Sequence, residues 1–169
     1  GFFGRLHPKD HLIIKEALDA VGIAHKAESY TAELSDGERQ KVMIAKALVQ
    51  ECPLIILDEP TAMLDPNGRK EVIRAVRALN DVEGITVILI THYMEEVIHA
   101  DHVYVMDKGS VKMQGTPKEI FSQVEKLKEL RLSVPQVTLL SYELKKAGVP
   151  LPDGILETEE LIRELKKVQ

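Results

Sequence analysis

Two adjacent carboxylates, Asp58 and Glu59, stand where side chains of a folded domain often do chemistry. They directly follow residues 54–57, an unbroken apolar run that is typical of a buried central strand in a parallel sheet. In open α/β sheets, ligands bind at the carboxyl ends of the strands. Because neighbouring strand residues point to opposite faces, one carboxylate could hold a hydrated Mg²⁺ while the other polarises a water molecule. The alternative is an ordinary strand that leaves the core through polar residues.

A second candidate site is the start of an amphipathic helix predicted over residues 35–50. Ser35 is a favourable N-cap, and Glu38 completes a capping box with it. The same helix start presents backbone N–H groups and the positive end of the helix dipole, both of which favour phosphate. Gly37 would let a phosphate approach the backbone closely. These residues therefore fit both a plain capped helix and a phosphate site.

Two more polar residues border predicted elements. Asp65, followed by Pro66, is a strong N-cap choice for a helix over residues 66–80. His92 follows residues 85–90, a run rich in β-branched side chains that predicts a second buried strand. Each of the two residues fits a purely structural role as well as a role in a site.

A metal site is an alternative for the histidines. His92, Glu96 and His99 could share one face of a short helix predicted over residues 93–99. The usual helical zinc pattern places two histidines four residues apart with a third ligand elsewhere, and these residues do not follow it. The sequence therefore favours another role for His92.

Four motifs follow one another along the chain. They are Leu-Ser-Asp-Gly-Glu at 34–38, Leu-Ile-Ile-Leu-Asp-Glu-Pro-Thr at 54–61, Met-Leu-Asp-Pro at 63–66 and Ile-Thr-His at 90–92. In this order they resemble the signature motif, Walker B strand, D-loop and switch histidine of ABC transporter ATP-binding subunits. The resemblance covers about residues 28–115. From Thr116 onwards the chain resembles the energy-coupling-factor (cobalt and vitamin importer) branch, whereas residues 1–34 resemble siderophore-importer ATPases, a mixture that suggests a chimera.

The resemblance implies ATP and Mg²⁺ as ligands. Asp58 would support Mg²⁺, Glu59 would polarise the attacking water, and His92 would contact the γ-phosphate. The residues that would meet nucleotide or the partner subunit are Ser35, Asp36, Gly37, Glu38 and Asp65. The commoner motif of the family has glycine in place of Asp36, and a carboxylate beside a phosphate site is mildly unfavourable.

One part of the family pattern is missing. No Gly-x-x-x-x-Gly-Lys-Ser/Thr phosphate loop occurs in the sequence, although that loop carries most of the nucleotide binding. The chain therefore resembles the second half of an ABC ATPase, and we expect it to be inactive as an ATPase by itself. Its sheet is expected to have an open edge that another chain or segment must cover.

Composition limits the remaining classes of function. With 169 residues the chain is long enough to bury one core with a small appendage, and its net charge of −5 disfavours a nucleic-acid binder. Cys52 is the single cysteine, so no intrachain disulfide can form, which suits a reducing cytosol. No apolar run approaches the length needed to cross a bilayer, and the first residues do not read as a signal peptide.

The pattern of elements predicts an α/β fold, a P-loop NTPase-like partial parallel sheet with flanking helices. Residues 102–106 and 110–114 predict an antiparallel edge hairpin, and three helices are expected in the C-terminal tail. The first of these has Ile120, Val124 and Leu127 as its buried stripe, and residues 149–157 are a hinge candidate. Expected domains are a helical signature portion (1–50), a Walker B and switch portion (51–115) and the tail (116–169).

The function that the resemblance implies is an ATP-binding and hydrolysing subunit of an ABC-type importer for a metal ion, vitamin or siderophore. It would lie in the cytoplasm at the inner face of the cell membrane. Its partners would be a second ATPase subunit or half that carries Walker A and a transmembrane permease, with no nucleic acid. The alternative is an engineered chimera or excised fragment that keeps the fold without ATPase activity. An ABC-type ATPase of DNA repair is disfavoured by the net charge and by the importer-like tail.

Overall fold

The computed structural model describes residues 7–50 and 52–168, which pack into two compact units that divide between Thr91 and His92. The first unit contains, in chain order, α1 (Pro8–Ala20), α2 (Asp36–Val49), β1 (Leu54–Asp58), α3 (Pro66–Asp81) and β2 (Thr86–Ile90), with two short 3₁₀ turns at Ala24–Lys26 and Thr31–Glu33. The second contains α4 (Met94–Val97), β3 (Val103–Asp107), β4 (Ser110–Gly115), α5 (Pro117–Phe121), α6 (Val124–Glu129), α7 (Gln136–Lys146) and α8 (Thr158–Val168). The three-domain division expected from the sequence stays a prediction.

In the first unit, α1 packs on α2, and α2 packs on α3. β1 and β2 pair in parallel, from Leu54 opposite Thr86 to Asp58 opposite Ile90. Their inward face joins the helices in one core. The buried members of this core are Ala17, Val21, Ile23, Ile44, Ala45, Ile55, Leu64, Val72, Ala75, Val76 and Leu79.

The prediction that β1 and β2 are buried strands is wrong for one of their two faces. Leu54, Ile56, Ile88 and Ile90 are between 45% and 61% exposed, and we call these four residues the bare sheet face. Ile55, on the opposite face, is 7% exposed. The reason is that α1, α2 and α3 pack against the Ile55 side of the sheet, so that their apolar stripes shield that side from water.

The predicted antiparallel hairpin is confirmed in the second unit, but its expected place at the edge of the parallel sheet is wrong, because β3 and β4 form a two-stranded sheet of their own. Asp107 pairs with Ser110, which leaves a two-residue turn. Both turn residues, Lys108 (φ 49°) and Gly109 (φ 74°), have the left-handed conformation that a tight hairpin of this kind requires. The turn therefore sets the register of the adjoining pairs, up to Met106 opposite Val111, and an irregularity between Val105 and Met106 shifts the register beyond them.

The tail differs from the prediction in having four helices. The single helix expected after Thr116 is split into α5 and α6 at Gln123, whose φ of −96° and ψ of 54° are not helical. The side chains of Ser122 and Gln123 both donate to the carbonyl oxygen of Glu119, at 2.8 and 3.0 Å, and so end α5. Ile120, Val124 and Leu127 are nevertheless buried, as the pattern predicts.

The loop over residues 149–157 is a packed connection between α7 and α8. It buries Leu151 and Ile155, which are 4% and 0% exposed. The hydroxyl of the buried Thr138 donates to the carbonyl oxygen of Ile155 at 2.6 Å. A hinge needs loosely held residues, so the prediction of a hinge here is wrong. Within the described ranges, no helix combines the length and the apolar character needed to span a membrane.

Candidate functional site

The first turn of α2 is held by a complete capping box. The N–H of Glu38 donates to the Ser35 hydroxyl at 3.2 Å, and the N–H of Ser35 donates to the Glu38 carboxylate at 2.8 Å. The second of these bonds is the main reason why the pKa of Glu38 lies below its usual value of 4.5. Ser35 is exposed, so this capped helix start is open to solvent.

The charge of Asp36 is balanced within the same turn. Its carboxylate forms an ion pair with Arg39, and Arg39 also donates to the carbonyl oxygen of Leu34 at 2.6 Å. Lys26 lies 3.4 Å from the Glu38 carboxylate. Each acidic side chain of the first turn thus has a cation beside it, which moderates the repulsion that Asp36 is expected to exert on a phosphate.

Gly37 has space around it. A Cβ placed on Gly37 would meet the Cα of Gly68 and a methyl group of Leu64 at 3.9 Å, which is ordinary van der Waals contact. Its backbone is helical, so a side chain would fit there without strain. The fold of this chain therefore does not itself require glycine at position 37.

Asp65 begins α3 as its N-cap, the structural role expected from the sequence. The N–H of Gly68 donates to its carboxylate at 2.7 Å. Arg69 donates to the carbonyl oxygen of Leu64 at 3.2 Å, just as Arg39 does to Leu34 at the start of α2. The two helices therefore begin with the same arrangement of a cap and an arginine one turn later.

The paired carboxylates lie at the carboxyl edge of the parallel sheet. Asp58 ends β1, opposite Ile90, and its place in the alternation puts it on the bare sheet face. Glu59 continues the ladder, because its N–H donates to the carbonyl oxygen of Ile90 at 2.9 Å. Its φ of 44° is left-handed, a conformation that is strained for a residue with a side chain and is found often at functional sites. Both carboxylates are exposed.

Glu59 and the N-terminal half of α2 line a groove of about 250 Å³ in the first unit. Its walls are formed by Asp36, Arg39, Gln40, Met43, Glu59, Pro60, Met63 and Leu64. Met43 and Met63 are 60% and 86% exposed. Sequence reasoning missed Arg39 and the two methionines, since neither a helical arginine nor an isolated methionine carries a signal of its own.

His92 is the first residue of the second unit. It is exposed, and its ring centroid lies 4.2 Å from that of Tyr93. The helix that follows is shorter than predicted, from Met94 to Val97, so His99 lies beyond it. Among residues 7–50 and 52–168, no group of three or more His, Cys, Asp or Glu side chains is placed to hold a metal ion. The zinc alternative therefore has no support in the described residues.

Comparison with known proteins gives a consistent family. The model of the ABC transporter family matches residues 7–62. An energy-coupling factor transporter ATP-binding protein EcfA1 from Caldanaerobacter subterraneus subsp. tengcongensis is 52% identical over 149 residues, which are 88% of this chain and 54% of that protein. EcfA1 from Lactobacillus delbrueckii subsp. bulgaricus is 41% identical over 98% of this chain and 59% of its own length. The chain belongs to the ABC transporter ATP-binding family.

Solved structures agree with this membership in the ABC family. The structure of cbiO1 from Clostridium perfringens, described as part of the ABC transporter complex cbiONQ, is 36% identical and superposes with a TM-score of 0.66. It is matched over 82% of this chain and 56% of that one. The P-loop NTPase-like α/β fold predicted from the sequence is thereby confirmed. This ABC chain spans about half the length of the curated relatives that it matches.

Proposed function

We propose that this chain is the signature and Walker B portion of an ATP-binding subunit of an ABC-type importer. The imported substrate would be a metal ion or vitamin, with a siderophore as the other class that the sequence suggests. The energy-coupling factor relatives, which are transporter ATP-binding proteins, support this proposal. The subunit would work with a second ATPase chain and a transmembrane permease, as a peripheral protein of the cytoplasmic membrane face.

The start of α2 is the observation that carries the proposal. It is exposed and capped, it has a neutralised acidic side chain, and it has a glycine that the fold does not require. A glycine that packing does not explain fits a position where something outside the chain approaches the backbone. The backbone N–H groups and the dipole of α2 suit the γ-phosphate of a nucleotide.

The carboxyl edge of the sheet supports the hydrolytic part of the proposal. Asp58 is an exposed carboxylate, the hard oxygen ligand that Mg²⁺ prefers, and one carboxylate together with substrate phosphates is the usual way of binding this ion. When bound, Mg²⁺ supplies charge stabilisation at the phosphates. Glu59 would accept a proton from the attacking water, and His92 would donate a hydrogen bond to the γ-phosphate.

The nucleotide must be held largely by another segment. The sequence has no phosphate loop, and backbone N–H groups of such a loop provide most of the phosphate contacts in this class of enzyme. The bare sheet face is consistent with this need, because Leu54, Ile56, Ile88 and Ile90 leave an apolar surface uncovered. We propose that a segment with an intact phosphate loop completes the site.

The test replaces Ser35 by aspartate. Ser35→Asp keeps a competent N-cap but sets a carboxylate against an incoming phosphate. The partner is a full-length energy-coupling factor ATP-binding protein with its general base replaced by glutamine. We expect MgATP-dependent association, measured by sedimentation, to weaken at least about tenfold, because juxtaposed like charges are strongly unfavourable.

Thr116→Asp is the matched control. Thr116 caps α5 through the same kind of box, with the N–H of Thr116 donating to Glu119 at 2.8 Å and the N–H of Glu119 donating to the Thr116 hydroxyl at 3.3 Å. The control therefore reproduces the added charge beside a capping glutamate in a helix with no proposed nucleotide contact. Equal association of Ser35→Asp and Thr116→Asp would contradict the nucleotide role of α2.

The second candidate function is a fragment or chimera that keeps the fold without ATPase activity. The missing phosphate loop is the observation that favours it. It predicts that MgATP does not change the sedimentation of the unmodified chain with the full-length partner.

A further inference from the structure

Gly68 lies in the first turn of α3, where its lack of a side chain allows a close approach. A Cβ at this position would be 2.9 Å from a carboxylate oxygen of Asp65 and 3.4 Å from the Cβ of Leu64. The first distance is shorter than real Cβ contacts, whereas the second lies at the lower limit of ordinary van der Waals contact. The carboxylate is not free to swing away without losing the cap, because it accepts the 2.7 Å hydrogen bond from the N–H of Gly68.

The two helix starts differ at this point. In α2 the corresponding position is Glu38, which carries a side chain, and the cap is the shorter Ser35 with an oxygen to nitrogen distance of 3.2 Å. In α3 the longer Asp65 cap is held closer, at 2.7 Å. With the Asp65 carboxylate held at 2.7 Å, a Cβ on Gly68 would require the carboxylate to shift.

Leu64 lies close to both Gly68 and the first turn of α2, which carries the signature motif. It is 7% exposed and belongs to the core, so it has little freedom to move. Its two methyl carbons are 3.9 and 4.0 Å from the position of a Cβ on Gly37, and the Cα of Gly68 is 3.9 Å from the same point. Gly68 and Leu64 therefore face the Gly37 turn where α2 packs on α3, at a distance that a single added Cβ would bridge.

One turn further along, an ion pair fixes the same two helices. The ammonium of Lys41 in α2 lies 2.7 Å from the Glu71 carboxylate in α3, and the Lys41 side chain is 11% exposed. The Glu71 side chain is 57% exposed, so the pair is partly open to water, but the buried ammonium favours a fixed distance between α2 and α3. A displacement of Leu64 or Asp65 is then expected to reach the first turn of α2.

We propose that Gly68 is a positioning residue for the signature turn over residues 35–38, and that it acts through Asp65 and Leu64. The inference rests on the proposed function, in which that turn meets the nucleotide. Backbone conformation does not explain the glycine, since Gly68 is helical with no positive φ, and helix propensity favours alanine there. Close packing explains it.

The experiment is a double-mutant cycle between positions 65 and 68, with Asn67→Ala as the matched control. Asn67 is exposed in the same turn, so its replacement changes helix propensity without adding a contact. The first readout is the set of backbone amide NMR signals of residues 35–38 in the isolated chain. The second is the MgATP concentration for half-maximal association with the full-length, hydrolysis-deficient partner.

We expect Gly68→Ala to shift the amide signals of residues 35–38 and to raise the half-maximal MgATP concentration about tenfold, an effect in the range of coupled neighbouring sites. Asn67→Ala should do neither. In the background of Asp65→Ser, whose hydroxyl cap is shorter, adding Gly68→Ala should shift the amide signals much less. Equal shifts in the two backgrounds, or a Gly68→Ala chain that behaves like Asn67→Ala, would overturn the positioning role.

The two proposals fail separately. Normal association of Ser35→Asp contradicts the nucleotide role of α2. Unchanged amide signals in Gly68→Ala contradict the positioning role of Gly68, even where Ser35→Asp abolishes association.

Discussion

The parallel sheet of the first unit and the helical tail of the second differ in how fully they bury their apolar residues. In the tail, Ile120, Phe121, Leu127 and Ile155 are each at most 1% exposed. In the sheet, Ile56 is 61% exposed although it lies in the middle of β1. The tail thus closes a core together with β3 and β4, although Leu140 and Ile162 remain 52% and 47% exposed, whereas the sheet closes one side only.

This difference shows that the two regions have different requirements. A tail with a finished core gains its stability from contacts within the chain. A sheet with a bare apolar face leaves part of its apolar surface in water and gains less stability from burial. Mutations in the tail core should therefore destabilise the isolated chain, whereas mutations in the bare sheet face should have little effect on it.

The largest expected effect is on the tail core. Phe121→Ala should lower the free energy of unfolding by about 3–5 kcal/mol, because it removes a fully buried ring and leaves a cavity. Ile56→Ala in the bare sheet face should change it by less than about 1 kcal/mol. Urea denaturation followed by circular dichroism measures both. A large loss for Ile56→Ala in the isolated chain would show that the face is covered, and the comparison would fail.

A smaller effect is expected at the sheet edge. Glu59→Gly should raise the free energy of unfolding by about 0.5–1 kcal/mol, since it relieves the left-handed strain but adds freedom to the unfolded chain. Asp58→Gly is the control. Asp58 lies in the regular strand β1, where glycine should lower the free energy of unfolding because it adds freedom to the unfolded chain. Thermal unfolding of both variants tests this. Lower stability of Glu59→Gly would mean that its side chain contributes more than the strain removes.

The smallest effect concerns pH and compares one capping box from each unit. Hydrogen bonds from Ser35 and Thr116 hold the pKa values of Glu38 and Glu119 below their usual 4.5. A lowered pKa in the folded state gives stability that is complete above pH 4.5 and is lost as the pH falls through the lowered value.

Glu38→Gln and Glu119→Gln should each flatten the fall of the melting temperature below pH 4.5. Melting curves between about pH 6 and pH 3 cover the range in which these carboxylates become protonated. An unchanged acid slope in either variant would show that its box does not contribute.

The local parts of the structure could be predicted from the sequence. The caps at Ser35, Asp65 and Thr116 were predictable because they depend on residues three apart, and the hairpin turn depends on Lys108 and Gly109 alone. The order of the motifs was enough to predict the family.

The parts that depend on distant contacts could not be predicted. An apolar run predicts a buried strand but not which elements cover its two faces, so it could not tell that Ile56 would be exposed. The break at Gln123 arises from two side chains that bond to Glu119, and apolar spacing does not detect such bonds. The roles of Leu64 and Gly68 depend on the packing of α2 against α3, which has no signature in either segment.

The turn at Lys108 and Gly109 also bears on the order in which the chain folds. β3 and β4 are joined by these two residues alone, whereas β1 and β2 are separated by the whole of α3. A hairpin with so short a loop forms within about 1–10 μs, while a parallel pair must first close a long loop. We therefore expect β1 and β2 to pair late. During that delay, the strands that end in Asp58 and Ile90 are exposed on both faces, so the folding chain is most prone to aggregate through them.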